Sequence, residues 1–175
     1  MHIISGKYKG QIIKYPEHIR PSTAKHKKMV FDTIRHDLPG GTFLDLFSGS
    51  GQMGLEAISL GAKSVDFIDA HPRCVKIIKE NISLLNLDRA MARVHQADIV
   101  RFINTHTEQY DIIMADPPYL EIDWSKFSQI DRLAHRHTIL ILKYSPHNPP
   151  PSWSKWPLVK QKNAKDTIIN FYLRS

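Results

Sequence analysis

The sequence predicts an α/β protein built on a mostly parallel sheet. Three observations carry this. Short, nearly continuous apolar runs alternate with stretches of helical composition; a glycine-rich turn joins the first deeply apolar run to the helix behind it; and successive runs end in carboxylates. A strand covered on both faces reads as a continuous apolar run, and an acid at its carboxyl end stands where such sheets place their ligands. At 175 residues and 20.2 kDa the chain has room for one well-packed core.

Taken in order, His2 to Tyr15 reads as two short strands about a Gly6 to Gly10 turn with lysines on the exposed side, a small hairpin extension over residues 1–22. The main domain spans 23–175. Arg20-Pro21-Ser22-Thr23 supplies a turn and a hydroxyl N-cap, and Met29, Val30, Phe31 and Ile34 form one apolar helical face. Lys25, Lys27 and Lys28 crowd the first turns of that helix, where each cation opposes the dipole by about 0.3–1 kcal/mol. A bound phosphate would relieve that cost; a solvated basic face is the plain alternative.

Phe43 to Phe47 is a buried strand running into Ser48-Gly49-Ser50-Gly51-Gln52-Met53-Gly54, followed by a helix that stops at Gly61. Ser64 to Asp69 is a second strand, Pro72 to Ile82 a helix opened by proline, and Met91 to His95 a third strand. Asp98 caps a helix over Ile99 to Ile103. The run Gln109 to Ala115 is a strand delivering Asp116-Pro117-Pro118-Tyr119, and Trp124 to Leu133 has the pattern of an amphipathic helix. Thr138 to Leu142 is a fifth strand. Beyond a proline-rich loop Trp153 and Trp156 read as packing residues, and strands from Leu158 and from Thr167 to Tyr172 form an antiparallel pair.

Composition excludes several classes. No apolar run approaches the ~20 residues of a membrane helix, and the start of the chain lacks a signal-peptide core, so a cytoplasmic protein with no membrane partner is expected. Cys74 is the single cysteine, which rules out an internal disulfide. None of the ten histidines stands at zinc spacing, and His135-Arg136-His137 would point to different faces of a helix, so no metal is expected. Net charge is +7, from 24 Lys and Arg against 17 Asp and Glu, and the excess gathers ahead of the first buried strand. A polyanionic partner follows.

Gly49 to Gly54 satisfies the G-x-G-x-x-G pattern of dinucleotide sites. Asp45 argues for another ligand: a carboxylate just before the loop repels a pyrophosphate and favours an ammonium or a sulfonium. S-adenosylmethionine carries both. The candidate cofactor set is Asp45, Phe47, Ser48, Gly49, Ser50 and Gly51 for its amino-acid end, Asp69 with Ala70 for the ribose, and Asp98 with Ile99 for the adenine; Asp69 lies 20 residues beyond Gly49. Asp116, Pro117, Pro118 and Tyr119 remain for an acceptor. Neither proline has an N–H, so carbonyl acceptors stand beside an acid and an aromatic face, a set suited to a planar amine.

In combination, Asp45 to Gly61, Tyr110 to Tyr119, Gly6-Lys7-Tyr8-Lys9-Gly10 and Arg20 to Thr23 resemble the RsmD family of 16S rRNA guanine-N2 methyltransferases. The resemblance spans nearly the whole chain. It implies a class I S-adenosylmethionine-dependent, Rossmann-like sheet of seven strands, order 3-2-1-4-5-7-6, acting as a monomer on 16S rRNA or the assembling small ribosomal subunit. The basic residues Lys7, Lys9, Arg20, Lys25, Lys27 and Lys28 are then assigned to the RNA. This chain departs from the family pattern at Lys28, at Ala164-Lys165 and at Lys143, where an acid commonly follows the fifth strand. Those changes spare the cofactor loop and Asp116 to Tyr119, so they are expected to bear on RNA positioning. Methylation of adenine N6 or cytosine N4 in DNA, or of a protein glutamine, are alternatives, as is an assembly factor that binds the cofactor with little activity.

Overall fold

Seven strands form one sheet in the order β3-β2-β1-β4-β5-β7-β6, the order that the resemblance implies. The computed structural model describes residues 1–16, 22–118 and 122–175, so Arg20 and Tyr119 lie outside the described residues. The strands are β1 (Thr42–Leu46), β2 (Ser64–Asp69), β3 (Ala92–Gln96), β4 (Tyr110–Ala115), β5 (Ala134–Tyr144), β6 (Leu158–Ala164) and β7 (Thr167–Leu173). The first five pair in parallel, and β7 runs antiparallel between β5 and β6. Among the described residues four α-helices accompany them: α1 (Ala24–Thr33), α2 (Gln52–Ser59), α3 (Pro72–Leu84) and α4 (Ile99–Thr105).

Strand alternation sorts the apolar side chains into two layers. Phe43, Val65, Phe67, Ile112, Met114, Ile141, Ile169 and Phe171 meet α1, α2 and the N-terminal segment on one face. Leu44, Leu46, Ile68, Ile113, Ala115, Leu140 and Leu142 meet α4 and the segment after β4 on the other. Thr23 caps α1, its hydroxyl accepting from the His26 N–H at 3.2 Å. Asp98 caps α4, accepting from Val100 at 2.8 Å.

The N-terminal hairpin closes on a bridge between His2 and Ile12 and on backbone bonds from the Ile3 N–H to Gln11, from the Gly10 N–H to Ile3 and from the Ile13 N–H to Met1. The N–H groups of Ile4 and Ser5 donate to Glu56 at 2.8 Å, those of Lys7 and Tyr8 to Ser59, and Ile3 and Ile13 enter the core. Two expectations are corrected, both beyond β4. The stretch Trp124 to Leu133 is two 3-10 turns, Trp124–Phe127 and Ile130–Leu133, not one α-helix. Its buried residues Trp124, Phe127, Ile130 and Leu133 recur every third position, the 3-10 period. His135-Arg136-His137 lies in the irregular start of β5, with His137 at φ 76°, and His135 Nε2 is 3.1 Å from Asp111 Oδ1.

Candidate active site

The sheet brings its strand-end charges into one row. In the parallel ladders Leu46 pairs with Ile68 and with Ala115, and Ala115 with Leu142. One residue further on stand Asp69, Asp116 and Lys143. Alternation turns Asp45, Asp69, Asp116 and Lys143 toward the α1/α2 face. The row crosses the point between β1 and β4 where the strand order reverses, the place at which open α/β sheets hold ligands.

Around Asp45 the chain builds a tight loop. Phe47, Gly49 and Gly51 all have positive φ, at 61°, 56° and 78°; for a phenylalanine that conformation is strained, and such strain concentrates at functional sites. Gly51 precedes α2, and a Cβ on it would press on Ile78 and Phe67 at 3.2 and 3.3 Å. Asp45 is 2% exposed and accepts from the Gly54 N–H at 3.0 Å. Burial pushes its carboxyl up to about 8; the Gly54 bond opposes the shift, and the charges of Asp116 and Asp69 add to it. Asp69 reaches across from β2, Oδ2 accepting from the Gly49 N–H and Oδ1 from the His71 N–H, each at 2.8 Å. Ser48 turns inward, its Oγ donating to the Asp45 carbonyl at 2.6 Å. The Ser50 carbonyl takes a bond from Asn81 Nδ2 at 3.0 Å. Ala70 and Asp98 are exposed, whereas Ile99 packs into the core beneath β2.

Asp116 is the acid on the other side of the switch point. Its Oδ2 accepts from Lys143 Nζ at 2.6 Å and from Ser22 Oγ at 3.0 Å. Ser22 is itself held by Gln52, the first residue of α2: with the amide turned to match, Gln52 accepts from the Ser22 N–H and donates to its carbonyl at 3.2 Å. Pro117 is buried and Pro118 exposed. The glycine loop and Asp116 are thereby joined through Gln52 and Ser22.

The structure corrects two assignments. Lys27 is 2% exposed, its Nζ 2.7 Å from the His2 carbonyl and 3.2 Å from Glu56 Oε2, so it is an internal tie that cannot meet RNA. Its place was legible: 27, 30, 31 and 34 are one helical stripe. Lys143 is buried as well and touches Asp116, so this departure from the family pattern lies among the strand-end acids rather than on the surface. Lys7, Lys9, Lys25 and Lys28 are exposed. Ser22, Gln52 and Lys143 were missed as site residues; the signal for Lys143 was a lysine continuing the apolar run Ile139 to Leu142.

A seven-stranded sheet with this order, a glycine turn after β1 and an acid followed by two prolines after β4 together define a methyltransferase-type α/β protein. The family model described as "Conserved hypothetical protein 95" matches residues 1–173, and the chain belongs to this family, the RsmD family that its motifs resemble. The ribosomal RNA small subunit methyltransferase D of Buchnera aphidicola subsp. Baizongia pistaciae is 27% identical over 188 residues, 99% of this chain and 91% of the relative. YlbH of Bacillus subtilis, described as a candidate rRNA methyltransferase, is 35% identical over 126 residues, 69% of this chain and 68% of the relative. In structure, the Escherichia coli protein yhhF, described as a candidate methyltransferase, superposes with a TM-score of 0.89 at 23% identity, covering 100% of this chain and 98% of its own. That likeness establishes the fold.

Proposed function

We propose that this chain is an S-adenosylmethionine-dependent methyltransferase acting on the exocyclic N2 amine of a guanine in 16S rRNA. The observation that carries the reading is the pair of carboxylates on either side of the switch point: Asp45, enclosed beside a glycine loop, and Asp116, partly exposed ahead of two prolines. The first suits the donor, the second the acceptor.

The residues fit the cofactor. Asp45, Asp69 and Asp116 lie close enough for the charges of the last two to act on the first, a field that favours a cationic ligand. Asp45 would hold the ammonium, the Gly49 to Gly51 backbone would allow close approach, and Asp69 would accept from the ribose hydroxyls. Bound there, S-adenosylmethionine supplies the electrophilic methyl group.

The chain's own work is orientation. The lone pair of an aromatic amine is delocalised into the ring, which makes the nitrogen a poor nucleophile. Asp116 Oδ1 accepts one amine hydrogen and the Pro117 carbonyl the other, so the nitrogen can pyramidalise and aim its lone pair toward the cofactor loop. Tyr119, assigned to stack on the base, belongs to the same proposal. The methylated amine sheds its proton to Asp116 or to water. No prior deprotonation is needed.

The names that the relatives carry support an rRNA substrate. The test is incorporation of a labelled methyl group into small ribosomal subunits, naked 16S rRNA and DNA, with the modified nucleoside identified by mass spectrometry. N2-methylguanosine is the expected product. Transfer to DNA or to a protein, or no transfer at all, would overturn the reading.

A further inference from the structure

Lys143 is a cation set among acids at the reacting end of the sheet, and the orientation of the amine by Asp116 and Pro117 leaves it no part. Its side chain is 6% exposed, so it does not serve a phosphate. Register holds it in place: Leu142 pairs with Ala115, and Lys143 therefore stands beside Asp116 on the neighbouring parallel strand. Lys143 Nζ and Ser22 Oγ converge on one oxygen, Asp116 Oδ2, at 2.6 and 3.0 Å, and are 2.8 Å from each other. Two donors use both lone pairs of that oxygen.

We propose that Lys143 is a positioning residue for Asp116: together with Ser22 it clamps Oδ2, so that the carboxylate offers one fixed oxygen, Oδ1, to the acceptor amine. This rests on the function proposed above. The clamp bears on which hydrogens are held. A carboxylate with both oxygens available can take two parallel bonds from an amine and the ring N–H beside it, and that grip keeps the amine nitrogen flat and conjugated. A carboxylate with one available oxygen takes a single amine hydrogen and leaves the second to the Pro117 carbonyl, out of the ring plane. Lys143 also offsets the Asp116 charge at the site. Its loss should therefore harm turnover while leaving a cationic cofactor bound as well or better.

The experiment compares Lys143→Met, Lys143→Arg and Ser22→Ala with the wild type, measuring kcat and KM on the RNA substrate, cofactor affinity by calorimetry, and thermal unfolding. Lys143→Met should lower kcat about ten- to a hundred-fold, the scale of a misplaced reacting group, with KM for RNA and cofactor affinity within about three-fold. Lys143→Arg should recover part of the loss. Ser22→Ala should lower kcat about two- to ten-fold, the loss of one hydrogen bond. An unchanged kcat in Lys143→Met, or a parallel fall in kcat and cofactor affinity, overturns the clamp. If Lys143→Met does not fold, Ser22→Ala decides, and full activity in it overturns the clamp too. A wild type inactive on every substrate overturns the proposed function, and the clamp with it; a fully active wild type with a fully active Lys143→Met overturns the clamp alone.

Discussion

Asp45 couples the state of the site to pH. In the unfolded chain its carboxyl has the ordinary value, 3.8; in the folded protein burial pushes it to about 8. The folded state therefore holds a proton that the unfolded state has lost between those values. A raised folded value gives stability that is fully present below the lower limit and declines as pH rises through the upper one. Unfolding of the cofactor-free protein by denaturant at several pH values in this window should show that decline, and Asp45→Asn should flatten it. A cation against Asp45 needs the ionised carboxylate, so cofactor binding near neutral pH should expel a proton, seen by calorimetry in buffers of different ionisation heat. Under the proposed function, Asp69 and Asp116 separate by role at the same scale. Asp69→Ala should weaken cofactor binding roughly ten- to a hundred-fold, the loss of charge-assisted bonds worth about 1.5–3 kcal/mol. Asp116→Ala should abolish methyl transfer while cofactor affinity stays within a few-fold. Equal losses of affinity in the two variants would refute the division.

The elements show why some of this was legible and some was not. The glycine turn, the N-caps at Thr23 and Asp98 and the strand-end acids are set by neighbours in sequence, so local chemistry reveals them. The clamp joins Ser22, Lys143 and Asp116 from three separate elements, and only the β4–β5 register makes them meet. Glu56 is similar: fully buried in α2, it binds Lys27 of α1 and the Ile4 and Ser5 N–H groups. Nothing in its local pattern announces this. Removing one member strands the other charge in the core, so Lys27→Met should destabilise the protein by about 3–5 kcal/mol. Lys27→Met with Glu56→Gln together should cost less than the sum. Denaturant titrations of the three variants check both statements. At the β6–β7 turn Lys165 has φ 51°, where an L side chain is strained. Lys165→Gly should raise stability by about 0.5–1 kcal/mol, read as a higher unfolding midpoint.

Over the whole molecule the charge of +7 has a direction that the sequence showed only in part. Lys7, Lys9, Lys25 and Lys28 are exposed in the first segments, and on the edge strand β6 Lys160 is exposed and Lys162 half-buried. With Met29, Asp32 and Thr33, the lysines of α1 and β6 line a cleft of about 240 Å³. The two sets lie far apart in sequence, so the cleft is visible only after α1 packs beside β6. Lys28 spends part of its charge on Asp32 at 2.8 Å, an exposed i,i+4 pair worth about 0.3–0.5 kcal/mol, which a phosphate can readily replace. If these lysines meet the RNA backbone, removing one of them from a phosphate should lower the salt slope of RNA binding by about 0.7–0.9. Replacing Lys7, Lys9, Lys25 and Lys28 by glutamine should therefore flatten the slope by up to about three units, and Lys160 and Lys162 by one to two more. Cofactor affinity should hold at any one salt concentration, because these side chains stand outside the row from Asp69 to Lys143. Binding isotherms across salt, with calorimetry of the cofactor alongside, decide the matter. Wild-type slope in the combined variant would show that RNA approaches by another face, and an unchanged slope in Lys160→Gln/Lys162→Gln alone would confine the RNA-binding face to the N-terminal lysines.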